Sequence, residues 1–295
     1  MTPAAGLVLL NKPAGITSFQ ALGAVKRLLG SRQAGHTGTL DRFATGVLAV
    51  LTGGLTRLGP LFEALDKSYR ATITFGRSTD TLDPEGAVVA EAEVPSRARI
   101  EDAIAQLTGW IEQVPPDYSA VHVGGRRAYQ LAREGRKPDL IPRRVCIRRI
   151  DVLSWFPPQL DVEVHCSKGT YIRSLARDLG LASGSCAFVS RLERRKVGDF
   201  RIEEAVAPEL FQPERDLIPP SGFLPRLEGV NILALDPRFR ESVAQGRPFR
   251  EEWLLTQGCA DGPSAVFDEG QRLLALLSRE KTAFRYLAVF PERPA

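Results

Sequence analysis

Apolar and polar positions along the chain follow two rhythms, one of period two and one helical, and these predict its elements. Residues 7–10 (LVLL) form an apolar run that reads as a short buried strand, and 11–15 (NKPAG) are turn chemistry. A helix is expected next: Thr17 or Ser18 can cap it, Phe19, Leu22, Val25 and Leu29 recur on one face, and Gly30 ends it. Residues 67–75 (KSYRATITF) alternate, so Tyr69, Ala71, Ile73 and Phe75 share the face opposite Arg70, Thr72 and Thr74. The stretch 159–166 (QLDVEVHC) does the same, with Leu160, Val162, Val164 and Cys166 inward and Asp161, Glu163 and His165 outward. It runs into SKGTYIRSLARDLG, where Ile172, Leu175, Ala176 and Leu179 mark a helical face and Gly180 is expected to stop the helix.

Strands and helices mix without the regular alternation of a parallel α/β fold, which predicts an α+β domain. Residues 207–230 carry five prolines (208, 213, 219, 220, 225) and lose periodicity, as a linker or irregular crossing segment would. A boundary near 230 follows, dividing the chain into 1–229 and 230–295. Beyond it the runs SAVFD, RLLALLS and RYLAVF, separated by Gly and polar residues, predict a small β-rich domain.

Composition narrows the class. With 43% hydrophobic and 25% charged residues, the 295-residue chain is an ordinary globular protein, neither disordered nor fibrous. The apolar run near the N-terminus is shorter than the roughly 7–15 residues of a signal-peptide core. No stretch reaches the about 20 apolar residues of a membrane-spanning helix, so a soluble, cytoplasmic protein is expected. Cys146, Cys166, Cys186 and Cys259 are widely spaced and lack C-x-x-C or zinc-type His spacing, which reads as free thiols rather than a metal site. Net charge is only +4, but it is concentrated: residues 126–149 hold nine Lys or Arg against Glu134 and Asp139, and Arg191, Arg194, Arg195 and Lys196 make a second run. Such runs suit either a solvated face or phosphate binding.

No H-E-x-x-H, G-x-S-x-G or P-loop motif is present, which removes the common zinc hydrolase, esterase and nucleotide-hydrolase classes. The unusual segment is GHTGTLDRFATGVL at 35–48, where Gly35, Gly38 and Gly46 punctuate a loop that presents Asp41 just ahead of an apolar strand. Glycines permit close approach of a ligand, and His36 offers a flat ring. An aspartate in such a loop is most often a turn or cap residue, and local pattern leaves both roles open.

NKPAGITSF at 11–19 and GHTGTLD at 35–41 closely resemble the bacterial tRNA pseudouridine-55 synthase (TruB) family. Three further segments match in family order: KSYR at 67–70, QVPPDYSAVHVGGRRAYQLAR at 113–133, and CSKGTYIRSLARDLG at 166–180. The resemblance implies a pseudouridine synthase fold, with a mixed, largely antiparallel sheet flanked by helices and loops, plus a small PUA-like RNA-binding domain at the C-terminus. It implies isomerisation of uridine 55 in the tRNA T loop by a monomer that uses no metal, no organic cofactor and no obligate protein partner. Asp41 matches the family's catalytic carboxylate, Arg173 its partner arginine, and Tyr69 the tyrosine that stacks on the target base. His36 matches the histidine that fills the space of the extruded base, and Leu192 a leucine lining the site. Lys12 and Asp83 match positions near the RNA-binding cleft. The basic tract, with Arg126, Arg127, Arg143 and Arg144, then reads as a phosphate-binding surface. Two departures stand out. Arg42 and Phe43 replace the family's proline and leucine, which predicts a looser loop, and His122 stands where lysine is commoner. The competing readings are a noncatalytic tRNA-binding or folding chaperone, and a synthase acting on another RNA.

Overall fold

The apolar run at 7–10 opens a longer strand, β1 (Leu7–Lys12). The computed structural model describes residues 5–30, 32–255, 261–280 and 283–291, so Cys259 lies outside the described residues; Cys146, Cys166 and Cys186 are free thiols. Helix α1 (Ser18–Leu28) is capped by Thr17, whose hydroxyl accepts from the Gln20 amide at 3.1 Å while the Gln20 side chain accepts from the Thr17 amide at 2.8 Å. The helix buries Ser18, Ala21, Leu22 and Val25. Phe19, expected on that face, is instead 70% exposed: at about 100° per residue it stands a quarter-turn off the Ser18–Leu22 ridge.

The chain continues through β2 (Ala34–His36), β3 (Thr45–Thr52), a short helix α2 (Gly59–Glu63) and β4 (Lys67–Phe75). A hairpin of β5 (Arg77–Thr79) and β6 (Val88–Glu91) precedes α3 (Arg97–Gln106) and β7 (Gly109–Gln113). The basic tract begins in a second hairpin, β8 (His122–Val123) and β9 (Arg126–Arg127), followed by α4 (Ala128–Arg133) and the long β10 (Arg143–Phe156). Then come β11 (Gln159–Cys166), α5 (Ile172–Ala182), β12 (Ala187–Val197) and β13 (Phe200–Arg201).

The main sheet runs β1-β3-β12-β4-β11-β10-β7, with β2 and β13 attached at β3 and β12. Its pairings are antiparallel except β3 with β12, so the mixed, largely antiparallel sheet is borne out. Both alternating segments form strands with the expected inward residues. Ala71, Ile73, Phe75, Leu160, Val162 and Val164 pack beneath α3 and α5 through Ile100, Ala103, Ile172, Leu175 and Leu179, each large side chain contributing roughly 1.5–3 kcal/mol.

Gly180 does not stop α5. The helix continues to Ala182, and Gly184 at φ +75° supplies the left-handed turn after it. Gly180 is needed for proximity instead, since a Cβ there would lie 2.6 Å from the Ala187 amide nitrogen at the start of β12.

Gly46 has the stricter requirement. It sits where β3 meets β12, at φ +106°, and a Cβ would stand 2.3 Å from the Arg194 carbonyl oxygen. Gly46→Ala is expected to destabilise the fold by about 3 kcal/mol or more through combined strain and collision, read as a lowered urea midpoint. An unchanged midpoint would mean that the crossing can open.

The segment 207–230 is no free linker. Short helical turns bury Phe211, Phe223 and Leu224, and Phe62 packs on Phe200 and Phe223 at 5.4 and 5.8 Å between ring centroids. Beyond it, β14 (Asn231–Ala234), β15 (Gly262–Phe267), β16 (Leu273–Glu280) and β17 (Ala283–Val289) form the expected β-rich unit, a sheet in that order. Ala265, Phe267 and Leu276 of this sheet share one apolar cluster with Phe62, Phe200, Phe223 and Leu224, so the crossing segment glues the two parts of the chain. Among the described residues, no helix is long and apolar enough to cross a membrane.

Candidate active site

The loop that presents Asp41 is bolted down from both sides. Ser18 at the start of α1 grips Leu40, its hydroxyl donating to the Leu40 carbonyl at 3.0 Å and accepting from the Leu40 amide at 2.9 Å. Gly15 and Arg42 exchange two bonds, the Gly15 amide to the Arg42 carbonyl at 2.8 Å and Arg42 Nε to the Gly15 carbonyl at 2.9 Å. Lys12 is fully buried, and its ammonium donates to the carbonyls of Pro13, Ile16 and Arg42 at 2.9, 2.8 and 3.3 Å. The looser loop expected from Arg42 is therefore not observed: these contacts restrain the backbone that a proline would restrain through its ring. Burial pushes the Lys12 ammonium down to about 8, with Asp41 opposing the shift.

Arg194 holds the other side of the loop. It was expected in a surface basic run, yet it is buried, with Nε on the Val47 carbonyl at 2.7 Å and Nη2 on the Gly38 carbonyl at 3.0 Å.

Arg173 reaches Asp41 from the first turn of α5. Its Nη2 donates to Asp41 Oδ1 at 3.0 Å, and Nε lies 2.8 Å from Oδ2, an ionic contact outside hydrogen-bond geometry. The same guanidinium donates to the carbonyls of Thr81 and Tyr118, both at 2.9 Å, and contacts Asp83 Oδ2 at 3.3 Å. Every edge of the planar fork is thus engaged. Asp83 is itself fixed by the Thr81 hydroxyl at 2.6 Å and the Glu85 amide at 3.0 Å. The start of α5 is oriented by Gln113, buried at the end of β7, whose amide spans the Tyr171 amide and carbonyl at 2.8 and 3.2 Å.

Above this pair opens a cleft of about 670 Å³ that includes Asp41, Tyr69, His36, Arg173 and Leu192 in its lining, within the range of a small-ligand site. The Arg173 side chain is 4% exposed and that of Asp41 34%, so the arginine braces from behind while the carboxylate can be reached. Burial raises the Asp41 pKa above its ordinary value; the Arg173 guanidinium opposes this and the Asp83 carboxylate adds to it. Burial likewise raises Tyr69, against the pull of Arg194, so the phenol keeps its proton at neutral pH. His36 is pushed down by burial and then by Arg194, which favours the neutral ring. Its buried Nδ1 finds no hydrogen-bond partner among the described residues. Among the described residues, no group of three or more His, Cys, Asp or Glu is placed to hold a metal.

Comparison with known proteins decides the family. Residues 26–172 match the family described as TruB family pseudouridylate synthase (N terminal domain). A relative from Synechococcus sp., named tRNA pseudouridine synthase B, is 41% identical over 287 residues, covering 94% of each chain. The chain belongs to the TruB family. A second relative of the same name, from Gloeobacter violaceus, is 38% identical and covers 97% of this chain and 99% of its own. The fold is also that of a protein in a solved H/ACA ribonucleoprotein bound to a substrate RNA containing 2′-deoxyuridine, at 21% identity and TM-score 0.73, covering 98% of this chain and 86% of that one.

In this TruB-family chain the structure brings Asp41, Tyr69, Arg173, His36 and Leu192 to one cleft, and Arg127 also lines it. Lys12 and Asp83, expected near the RNA-binding cleft, lie behind its wall and serve the loop and Arg173, because their charged ends are spent on protein partners. Arg126 is exposed on its hairpin and pairs with Glu134. Arg143 and Arg144 stand on β10, outside the cleft lining, with Arg144 4.7 Å from the Trp110 ring centroid. Gln113 has no role legible in the sequence, and Arg194, which stands in a basic run, is an interior brace and not a surface charge. The Arg194 signal was present, since the alternation that turns Leu192 inward carries residue 194 with it.

Proposed function

We propose that this protein isomerises uridine 55 in the T loop of tRNA to pseudouridine, with Asp41 as its catalytic carboxylate. The observation that carries the reading is a reachable carboxylate, held by a buried guanidinium, in a cleft that also presents Tyr69 and His36. Family membership and the shared name of the two relatives, tRNA pseudouridine synthase B, point to the same substrate class.

The reaction breaks the bond from N1 to C1′, forms one from C5 to C1′, releases the C5 hydrogen to solvent as a proton and places a solvent proton on N1, with no net change in oxidation state. The target base must first leave its stack, at a cost of a few kcal/mol; His36, neutral and flat, fills the gap. Attack at C1′, addition to C6 and proton removal from C2′ all start from ionised Asp41. Arg173 orients that carboxylate and favours its charged form. The protonated Tyr69 stacks on the base and relays the C5 proton through its hydroxyl.

The Tyr69→Phe variant should therefore bind tRNA yet release hydrogen from C5 roughly 10²- to 10⁴-fold more slowly, as for loss of a proton-transferring group. Near-normal release would assign Tyr69 to stacking alone.

The pH profile provides a further check. Burial raises Asp41, so activity should fall as pH drops through a value above the ordinary 3.8. On the alkaline side it should fall as pH rises through about 8, where Lys12 loses its proton. A neutral amine has two N–H groups for three carbonyls, and the loop loosens. An acid limb at or below 3.8 would contradict the assigned role of burial.

Residues 230–295, which carry the sheet of β14 to β17, act in this reading as a PUA-like RNA-binding unit beyond the catalytic part at 1–229, and the enzyme works in the cytoplasm as a monomer without cofactor or protein partner. The deciding experiment supplies a tRNA transcript with tritium at uridine C5 and counts tritium released to water. Release supports the synthase. Tight tRNA binding without release would favour a tRNA-folding chaperone or a synthase for another RNA.

A further inference from the structure

Helix α1 buries Ser18, Ala21 and Leu22 but leaves Phe19 70% exposed. Single exposed apolar side chains are common on protein surfaces, and exposure by itself assigns nothing. Position and surroundings do. Phe19 lines the same cleft as Asp41 and Tyr69, and the Lys26 ammonium sits 4.8 Å from its ring centroid. A second part of the lining repeats this construction: Tyr129 of α4 carries the Arg133 guanidinium 5.7 Å from its ring centroid. Helix α1 has two basic residues, Lys26 and Arg27, in its last turn and no acidic residue along its length, which suits a polyanion better than an acidic or neutral protein surface.

We propose that Phe19, with Lys26 beside it, is a stacking subsite for an RNA nucleotide outside the target position, at the rim of the cleft. This rests on the synthase reading above. An open aromatic ring stacks on any base, and the neighbouring cation meets the adjoining phosphate, so the subsite adds affinity without reading sequence.

The test measures tRNA binding by filter retention for wild type, Phe19→Ala, Phe19→Leu and Phe19→Trp, beside tritium release by wild type. Phe19→Ala and Phe19→Leu should each weaken binding about tenfold, within the span of one base stacked on an aromatic ring. Phe19→Trp should bind like wild type, with its added indole emission quenched by tRNA beyond any change in the chain's three native tryptophans. Wild-type affinity in Phe19→Leu or Phe19→Ala, or an unquenched Phe19→Trp, would overturn the subsite while leaving the synthase reading intact. Failure of wild type to bind tRNA or release tritium would overturn the functional reading itself.

Discussion

Asp41→Asn should lower tritium release from uridine C5 by at least about 10³-fold, the scale on which removal of a group that itself reacts is felt, while tRNA still binds. Asparagine keeps the shape and one oxygen acceptor for Arg173 Nη2, now at 3.0 Å from Asp41, but loses the charge and the nucleophilic oxygen. The asparagine amide nitrogen then faces Arg173 Nε where Oδ2 stood, but Arg173 does not become a lone buried cation. Asp83 remains 3.3 Å away, and the Thr81 and Tyr118 carbonyls stay bonded. The loop also keeps its anchors to Ser18, Gly15 and Lys12. Filter binding with the labelled transcript separates the steps. Turnover close to wild type would remove Asp41 from the chemistry, whereas loss of binding and folding together would make it a structural residue.

The second large effect is expected from Arg173→Lys, which preserves charge and removes the fork. One ammonium has three hydrogens on a single nitrogen. It cannot reproduce contacts that leave Nε, Nη1 and Nη2 for Asp41, Asp83, Thr81 and Tyr118. At least one of these four partners loses its donor, and the Asp41 carboxylate loses the direction imposed by a planar partner. A misplacement near 1 Å costs about 10²-fold in rate, so kcat should fall by that order or more with tRNA affinity largely kept. Buried carbonyls left without donors cost about 1–3 kcal/mol each, so the melting temperature should fall as well. Normal kcat would show that positive charge alone suffices at this position.

Both expectations depend on a bracing system that extends well beyond the reacting groups. Gln113 orients the turn that carries Arg173, Arg194 holds Gly38 and Val47, and Lys12 gathers three carbonyls around the loop. Nearby, Leu82 takes a left-handed φ of 60°, a strained conformation for a branched side chain, between Thr81 and Asp83, which both contact Arg173. The pocket therefore has its polar groups in position before any substrate arrives.

The family is legible in five ordered motifs, and so are the elements whose two faces meet different surroundings. The strands at 67–75 and 159–166 follow from alternation, and the Thr17 cap follows from local chemistry. These features are legible because burial of one face of a strand or helix is recorded at fixed local spacing. Which charges belong to the interior depends on how the chain packs. Arg194 is buried against Gly38 and Val47 from far along the chain, Lys12 and Asp83 each add a distant partner, Arg42 and Arg173, to their local ones, and Arg173 meets Asp41 across 132 positions. Local pattern also misplaced Phe19 and Gly180, and it left the proline-rich segment 207–230 open between a linker and the crossing segment that it is. Whether a side chain faces water, must be absent, or fills a core depends on the neighbour packed against it, and that neighbour is chosen by the fold.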